Sequence, residues 1–161
     1  MKNFFIRLFG KRRRGFEVLE EFDRWFEQGY VKTPNRKTHR SAGYDICSIG
    51  DYVVPPGSKV AIDTGLTAYM KPNEFLAIVV RSGLAFNHNL TLQNSIAIID
   101  SDYYGNHIRI LLRNEGTTPF MVKTGDRIAQ GIFLPYLATD NDHTQEREER
   151  VGGFGSTGQA A

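Results

Sequence analysis

Short runs of apolar and β-branched residues recur along the chain, and polar turn residues separate them. The separators are rich in proline, glycine, asparagine and aspartate, as in Pro55-Pro56-Gly57 and Thr124-Gly125-Asp126. Many short runs at this spacing are typical of an all-β sandwich or barrel. The predicted strands lie near residues 15–20, 43–48, 51–54, 58–63, 66–70, 75–81, 89–92, 95–99, 107–113, 119–123 and 127–134.

One segment, residues 20–29, has helical rather than strand periodicity. Phe22 and Phe26 are four residues apart, so a helix would place them on one face. We therefore expect at most one short helix. The chain of 161 residues is long enough for one domain with a core and too short for two ordinary ones. The predicted fold is a single all-β domain.

The pattern divides the chain into three parts. Residues 1–14 form a basic N-terminal extension, and residues 15–137 contain all the predicted strands. Residues 138–161 begin with a charged stretch without periodicity and end in a glycine-rich segment that is too poor in apolar residues to fold alone. We interpret this last part as an exposed linker and a flexible C-terminal arm, with an ordinary frayed terminus as the alternative.

The charge distribution argues against a nucleic-acid-binding surface. The formal net charge is +2, but residues 1–14 contain six basic side chains and no acidic one. The remainder has 14 basic and 18 acidic residues, a net charge of −4. A distributed basic face is therefore absent from the sequence. Any phosphate affinity must come from a few placed groups and a cation.

Location is predicted from cysteine content and hydropathy. Cys47 is the single cysteine, which excludes an internal disulfide and fits a reducing cytoplasm. The apolar run in the first eleven residues is too short for a membrane span or a secretory signal. We expect a cytoplasmic protein that does not bind membranes.

The first segment with chemical potential is Ser41–Asp45, with sequence SAGYD. Asp45 begins a predicted strand and is suited to hold a hydrated Mg2+ through water, since Mg2+ prefers oxygen ligands and keeps several waters. The alternative is a solvent-exposed aspartate at a strand edge. Taken alone, the segment favours that alternative.

The second segment is Arg81-Ser82-Gly83, which follows a predicted buried strand. A guanidinium, a hydroxyl and an unhindered glycine N–H match three contacts to phosphate oxygens. An exposed arginine beside a turn explains this segment equally well.

The third segment, residues 94–105, reads NSIAIIDSDYYG and predicts a tight hairpin. The backbone of a hairpin mouth can read a pyrimidine edge. Asp100 ends the strand where it could polarise a water as a general base. Tyr103 could lie under a deoxyribose and leave no room for a 2′-hydroxyl. The alternative is an ordinary hairpin with packed aromatic residues; we favour the functional interpretation.

Two further segments complete the set. In residues 125–130 (GDRIAQ), Arg127 is interpreted as a structural anchor of the turn and Gln130 as a contact to phosphate or water. In residues 150–158 (RVGGFGSTG), glycine N–H groups and hydroxyls can surround an anion while Phe154 stacks on a base. The alternative for this last segment is a flexible tail.

In order and spacing, these five segments resemble the five motifs of the trimeric dUTP pyrophosphatase family. The resemblance spans residues 41–158, and it is most specific in IIDSDYYGN, GDRIAQ and GGFGSTG. It implies a β jelly roll that assembles as a homotrimer with three composite sites. It also implies hydrolysis of dUTP to dUMP and pyrophosphate by in-line attack of water on the α-phosphorus, with Mg2+ as cofactor.

The resemblance also implies roles for residues of the core. Asp100 helps to activate the attacking water, and Tyr103 excludes ribose. Uracil is read by Asn94 and the neighbouring backbone, which includes Ala97, while Asp45 orients the water shell of Mg2+. The implied phosphate-binding residues are Arg81, Ser82, Gly83 and Gln130.

In the C-terminal arm, the resemblance implies that Phe154 stacks on uracil and that Gly155 contacts the nucleotide. Arg150, Ser156 and Thr157 are the implied contacts of the γ-phosphate.

The chain departs from the family pattern in three places. Ala97 stands where the family usually has glycine, and its added methyl group would either narrow the expected uracil pocket or shift the hairpin. Arg150 lies one residue nearer to the glycines than usual, with Glu149 in the usual arginine position. Residues 1–14 match nothing in the family core and residues 20–40 are longer than usual, so this region either serves a protein partner or is passive.

Two alternatives remain open. A dCTP deaminase shares the fold but would need further carboxylate and polar groups for loss of the amine. A non-catalytic module would bind nucleotide and a regulatory protein without turnover, and the retained Asp100, Tyr103 and arm argue against it.

Overall fold

The computed structural model describes residues 12–144, which form ten strands and two short α-helices. The helices are α1 (Asp23–Glu27) and α2 (Ser82–His88). The strands are β1 (Gly15–Val18), β2 (Tyr44–Cys47), β3 (Tyr52–Val54), β4 (Lys59–Tyr69), β5 (Glu74–Val80), β6 (Leu90–Leu92), β7 (Ala97–Asp100), β8 (Ile108–Asn114), β9 (Phe120–Val122) and β10 (Arg127–Pro135).

Two four-stranded antiparallel sheets share one hydrophobic core. The first has the order β1-β4-β8-β6, the second has the order β2-β10-β5-β7, and β3 pairs with β9 in a small third sheet. Buried side chains from both large sheets meet in one cluster, for example Ile62 and Leu112 from the first and Ile46 and Leu76 from the second. Two packed four-stranded sheets are the arrangement of a jelly roll. The all-β prediction is confirmed.

Alternation of apolar and polar residues explains how β8 forms. Ile108, Ile110 and Leu112 are buried, whereas Arg109 is exposed on the other face of the strand. Successive side chains of a strand point to opposite faces, so this pattern commits one face to the core.

A β-bulge joins two predicted strands into one. The segments near 58–63 and 66–70 form the single eleven-residue strand β4. Its pairing with β8 shifts register between Asp63 and Leu66, and Gly65 adopts a φ of +70° there. Glycine tolerates this conformation, so the strand continues through the bulge instead of ending.

The helix count differs from the expectation of at most one. The segment near residues 20–29 contains α1, as predicted, and α2 is an additional helix. The sequence does not indicate α2, because its apolar residues Leu84, Ala85 and Phe86 are contiguous and not three or four positions apart. Seven residues are also too few to show a helical period. Asn89 ends α2 in the left-handed conformation with φ of 50°.

The predicted hairpin in residues 94–105 is a crossing between sheets. Strand β7 pairs with β5 in the second sheet, whereas β6 and β8 pair with each other in the first. The chain turns at Ser95, whose φ is 59°, and again in the 3-10 helix Ser101–Tyr103. Alternation along one strand does not reveal which strand will pair with it, and this is why the hairpin prediction was wrong.

None of the helices in residues 12–144 is long and apolar enough to cross a membrane. The predicted arm residues and most of the basic extension fall outside this range. The three-part division of the chain therefore stays a prediction.

Candidate active site

Asp45 is held between two arginines. Its Oδ1 forms an ion pair with Arg81 Nε at 2.9 Å, and its Oδ2 accepts a hydrogen bond from Arg127 Nη1 at 2.9 Å. The Asp45 side chain is only 11% exposed, whereas the two arginine side chains are 29% and 39% exposed. The carboxylate therefore lies beneath two guanidinium groups that still reach solvent.

Three neighbouring strands of the second sheet position this cluster. Strand β10 pairs with both β2 and β5, so Gln130 is opposite Asp45 on one side and Val79 on the other. Arg81 follows the last residue of β5, and Arg127 is the first residue of β10. Arg81 Nη1 also donates to the Arg127 carbonyl at 3.4 Å, which ties the two strand ends together.

Gln130 packs tightly over Gly43. A Cβ atom placed on Gly43 would lie 2.3 Å from Gln130 Oε1 and 3.1 Å from Gln130 Cβ. Glycine at this position therefore determines where the Gln130 amide group sits. This close contact is a physical reason for the glycine in the segment SAGYD.

Two polar clefts flank the arginines and share Gly125 and Arg127. A cleft of about 290 Å³ is lined by Arg81, Leu84, Phe120, Gly125, Asp126, Arg127 and Ile128. A second of about 220 Å³ is lined by Lys32, Thr33, Asn35, Asp45, Cys47, Gly125 and Arg127. Two cations and open space beside them are suited to an anionic ligand.

Ser82 and Gly83 are the first two residues of α2 and both are exposed. A Cβ atom at Gly83 would meet nothing within 4 Å, so the backbone there is open to an approaching group. The first N–H groups of a helix have no intrahelical acceptor. Ser82 and Gly83 thus lie beside Arg81 at the beginning of the helix, and their binding of phosphate stays a prediction.

Asp100 ends β7 and is exposed. Its cross-strand partner is Phe75, the second residue of β5, whereas Arg81 lies just beyond the other end of that strand. Six residues of extended chain at roughly 3.3 Å each put the two backbones about 20 Å apart. The structure does not bring Asp100 and the arginine cluster together within one chain.

Asn94 and Ala97 line an apolar cleft of about 290 Å³, together with Ala61, Leu92, Arg109, Ile110 and Leu111. Asn94 is exposed in the turn before β7, and Ala97 is 7% exposed at the beginning of that strand. The two residues predicted to contact the base therefore share one cleft, and the methyl group of Ala97 belongs to its wall.

Two adjacent tyrosines follow Asp100 and have opposite environments. Tyr103 is 5% exposed, and its hydroxyl donates to the His107 carbonyl at 3.0 Å. Tyr104 is 51% exposed, and its hydroxyl donates to Glu17 Oε2 at 2.5 Å. Tyr103 is thus fixed in the core with little surface available, and its contact with a sugar stays a prediction.

Sequence reasoning treated Arg127 as an anchor of its own turn and did not foresee its bond to Asp45. These residues are 82 positions apart in the chain. Only the pairing of β2 with β10 brings them together. The adjacent Cys47 was also missed as a neighbour of the cluster, and burial raises the pKa of its thiol, which keeps it protonated at neutral pH.

The donor set around Asp45 fits outer-shell contact with Mg2+. A carboxylate has about four acceptor positions, and the two arginine bonds leave others for a metal-bound water. Mg2+ usually keeps several waters and binds through one or two carboxylates plus substrate phosphates. Within residues 12–144, no group of three or more histidine, cysteine or acidic side chains is arranged to hold a metal ion.

The predicted arm contacts Arg150, Phe154, Gly155, Ser156 and Thr157 lie outside the described residues. Their roles stay predictions.

Residues 29–158 match the family model described as dUTPase. The deoxyuridine 5′-triphosphate nucleotidohydrolase of Lactococcus lactis subsp. lactis is 41% identical, covering 90% of this chain and 97% of the relative. The enzyme of the same name from Desulfitobacterium hafniense is 43% identical, covering 79% and 87%.

Solved structures of dUTPases are also similar to this chain. The dUTPase of Streptococcus mutans superposes with a TM-score of 0.69 at 32% identity, covering 78% of this chain and 98% of that one. The dUTPase of phage phi11 of S. aureus has a TM-score of 0.68 at 19% identity, covering 89% and 100%, and shares the fold. With the motifs, the jelly roll and these relatives in agreement, the chain belongs to the dUTPase family.

Proposed function

We propose that this chain hydrolyses dUTP to dUMP and pyrophosphate, with water attacking the α-phosphorus in line. The observation that carries the proposal is the Arg81–Asp45–Arg127 cluster beside two polar clefts. The relatives at 41% and 43% identity are named for the same reaction. Phosphoryl transfer depends chiefly on positioning and on neutralising the charge of the phosphates, which is what paired guanidinium groups provide.

Each part of the nucleotide has a proposed set of contacts. Arg81, with the adjacent Ser82 and Gly83, binds phosphate oxygens, and Gln130 contributes its amide from the neighbouring strand. Arg127 holds Asp45 in place and adds positive charge to the same surface. The pyrophosphate leaving group gains negative charge in the transition state. These groups therefore stabilise the transition state more than the bound substrate.

The base and the sugar are proposed to bind near β7. Asn94 and Ala97 line the apolar cleft that would receive uracil. A methyl group at position 5 of thymine would need extra room in this cleft, and a pocket wall that includes Ala97 Cβ restricts it. Tyr103 is proposed to limit the space at the 2′ position of the sugar. Uracil is distinguished from cytosine by hydrogen-bond polarity, because a mismatch leaves buried groups unpaired.

Asp100 is proposed as the general base that takes a proton from the attacking water. Asp100 lies in an exposed position at the end of β7. No covalent intermediate with the protein is required.

Mg2+ bound to the phosphates would supply neutralisation of their charge and a fixed triphosphate conformation. Asp45 would hold its water shell, in keeping with the acceptor positions left on that carboxylate. A variant of the phi11 dUTPase is described with a structural Mg(II) ion, which is consistent with use of this metal in the fold.

We propose a homotrimer with composite active sites. The backbone separation of about 20 Å between Asp100 and the arginine cluster supports it, because the two groups lie toward opposite ends of β5 and do not converge on one phosphorus within a single chain. Closed rings of identical subunits bring different surfaces of the same chain together. The C-terminal arm, through Arg150, Phe154, Gly155, Ser156 and Thr157, is proposed to cover the bound nucleotide.

The location and the partner of the N-terminal region are also proposals. A cytoplasmic location is supported by the single thiol of Cys47. A protein partner for residues 1–14 would have to compete with bonds inside the chain, since Arg12 pairs with Glu17 and Arg14 pairs with Glu74.

The test is a hydrolysis panel with dUTP, dTTP, dCTP and UTP, each with and without EDTA. Pyrophosphate release from dUTP that EDTA abolishes is the expected result, with little release from the other three. Ammonia from dCTP would show a deaminase instead. Binding of dUTP without any turnover would show a non-catalytic module.

A further inference from the structure

The last residue of β7 and the five residues that follow it, residues 100–105, form a short segment that we call the Asp100 loop. It contains Asp100, the 3-10 helix Ser101–Tyr103 and the pair Tyr104-Gly105. Asp100 lies at the beginning of this loop, so the position of its carboxylate depends on what holds the loop. Strand β7 fixes one side of it, and the other side needs separate anchors.

Tyr103 is one such anchor, since it is buried and bound to His107, and two side chains of the first sheet provide the others. Tyr104 Oη donates to Glu17 Oε2 at 2.5 Å, and Gly105 N donates to Thr67 Oγ1 at 2.9 Å. Glu17 on β1 and Thr67 on β4 are directly paired across the two strands. One cross-strand pair therefore holds two consecutive residues of the Asp100 loop.

The anchor on β1 is itself held in place. Arg12 Nη2 donates to Glu17 Oε1 at 2.5 Å, so the two oxygens of this carboxylate serve Arg12 and Tyr104 separately. The Arg12 guanidinium lies 3.8 Å from the centre of the Tyr69 ring, and that ring meets the Tyr104 ring edge-on at 6.5 Å. The Glu17 side chain is 28% exposed, so solvent does not fully screen these contacts.

The Tyr104 hydroxyl is a stable donor in this arrangement. The hydrogen bond to Glu17 raises the pKa of Tyr104, and partial burial acts in the same direction. Gly105 has a φ of +88°, a left-handed conformation that suits glycine and turns its N–H toward Thr67. Glu17, on β1, lies before residue 29, where the match to the family model begins, so the matched region does not include it.

We propose that Glu17 is a positioning residue for the general base Asp100, acting through its hydrogen bond to Tyr104. This inference rests on the proposed function of Asp100. Glu17 does not touch the nucleotide in this scheme. It restricts the Asp100 loop to the conformation in which the carboxylate faces the attacking water, and small misplacements of a reacting group are costly in rate.

The test compares Glu17→Ala, Glu17→Gln and Tyr104→Phe with the wild type in dUTP hydrolysis. Loss of the bond in Glu17→Ala or Tyr104→Phe should lower kcat by about 3- to 30-fold with little change in KM. Glu17→Gln keeps an acceptor for Tyr104 and should retain most of the rate. The double variant Glu17→Ala/Tyr104→Phe should be no slower than the slower single variant, because both remove one interaction.

Glu115→Ala is the matched control, because it removes another surface glutamate that pairs with an arginine, Arg113. It should leave kcat unchanged. Hydrogen exchange of the Asp100 loop amides provides a readout that does not depend on turnover, and exchange should be faster in Glu17→Ala and Tyr104→Phe but not in Glu115→Ala.

Unchanged kcat and unchanged exchange in Glu17→Ala and Tyr104→Phe would overturn the proposal, provided that the wild type hydrolyses dUTP. A rise in KM at constant kcat would also overturn it, since that result indicates a contribution to binding. A wild type without dUTP hydrolysis would instead refute the proposed function. In that case loop exchange alone would still decide whether Glu17 orders the Asp100 loop.

Discussion

Asp100 and Arg81 lie at opposite ends of β5 in the same chain. Asp100 is paired with Phe75 near the beginning of the strand, and Arg81 directly follows its last residue, Val80. Strand β5 is a central member of its sheet, with β10 on one side and β7 on the other, and it keeps the two backbones about 20 Å apart. We propose that the Asp100 and the Arg81 that act on one nucleotide come from different subunits.

Mixed oligomers should therefore recover activity from two inactive parents. We expect Asp100→Asn and Arg81→Ala each to hydrolyse dUTP poorly alone. After joint unfolding and refolding in equal amounts, about a quarter of the sites in a randomly mixed oligomer should contain an intact Asp100 and an intact Arg81. The measurement is the specific activity of the mixture against its separately refolded parents. Activity equal to the parental average would show that both residues serve a site within one chain.

Substitution of Asp100 tests the general base directly. Asp100→Asn keeps the size of the side chain and a hydrogen-bonding oxygen but cannot accept a proton at neutral pH. We expect kcat for dUTP to fall by about two to four powers of ten, as is typical for a positioned general base. Steady-state pyrophosphate release and a thermal unfolding curve should be measured together. A variant with wild-type turnover would remove Asp100 from the mechanism.

The Asp45 carboxylate should stabilise the fold as well as the site. Asp45→Ala leaves Arg81 and Arg127 adjacent and without their shared counterion, and the lost side chain is 11% exposed. Breaking a mostly buried ion pair from one side costs about 2 to 4 kcal/mol of unfolding free energy. Urea denaturation measures this loss.

Asp51→Ala is the control for that measurement. Asp51 accepts hydrogen bonds from the backbone and hydroxyl of Thr124 but lies in an exposed position. Its removal should cost clearly less than removal of Asp45, because solvent screens exposed pairs. Equal losses in the two variants would contradict a special role for the arginine cluster.

Gly43→Ala should displace the amide group of Gln130 while leaving residue 130 itself unchanged. The new Cβ would overlap Gln130 Oε1 at 2.3 Å and crowd its Cδ at 3.0 Å, so the amide must move. Loss of one hydrogen bond to phosphate corresponds to a fall in kcat/KM of about 2- to 10-fold. Gln130→Ala should show a similar fall, and Gly43→Ala should add nothing in that background. Additive effects of the two substitutions would mean that Gly43 acts through another neighbour.

The sequence predicted most of the strands, because strands depend on local patterns, and it named candidate site residues from local motifs. Alternating residues define a strand such as β8 without knowledge of its partners. The pairing of distant strands is a long-range property, so neither the Arg127–Asp45 bond nor the assignment of β7 to the second sheet followed from the pattern. The same reason explains why Tyr104 and Glu17, 87 positions apart, were not connected.

His107 should make stability depend on pH. Its Nε2 accepts from the backbone N–H groups of Gly65 at 3.0 Å and Thr64 at 3.3 Å, where β4 forms its bulge. Only the neutral imidazole can accept there. Burial lowers the pKa of His107, and it outweighs the opposite influence of Asp63, whose Oδ1 lies 3.9 Å from Nδ1.

A histidine with a lowered pKa in the folded state binds its proton more readily when unfolded. The stability that it provides is therefore complete above its ordinary pKa of about 6.5 and is lost as the pH falls through the lower folded value. The contribution of His107 to the slope of the unfolding free energy against pH cannot exceed about 1.4 kcal/mol per pH unit.

His107→Gln keeps an acceptor at this position and removes the titration. Urea denaturation at pH 7.5, 6.5 and 5.5 should show a steeper loss of unfolding free energy toward low pH in the wild type than in this variant. Titration of the carboxylates is common to both proteins, so the difference between the two slopes isolates His107. His88→Gln, which alters a histidine in contact with Phe120 away from the bulge, should keep the wild-type slope. Parallel plots of unfolding free energy against pH for the wild type and His107→Gln would show that the bonds to Thr64 and Gly65 do not make the stability depend on pH.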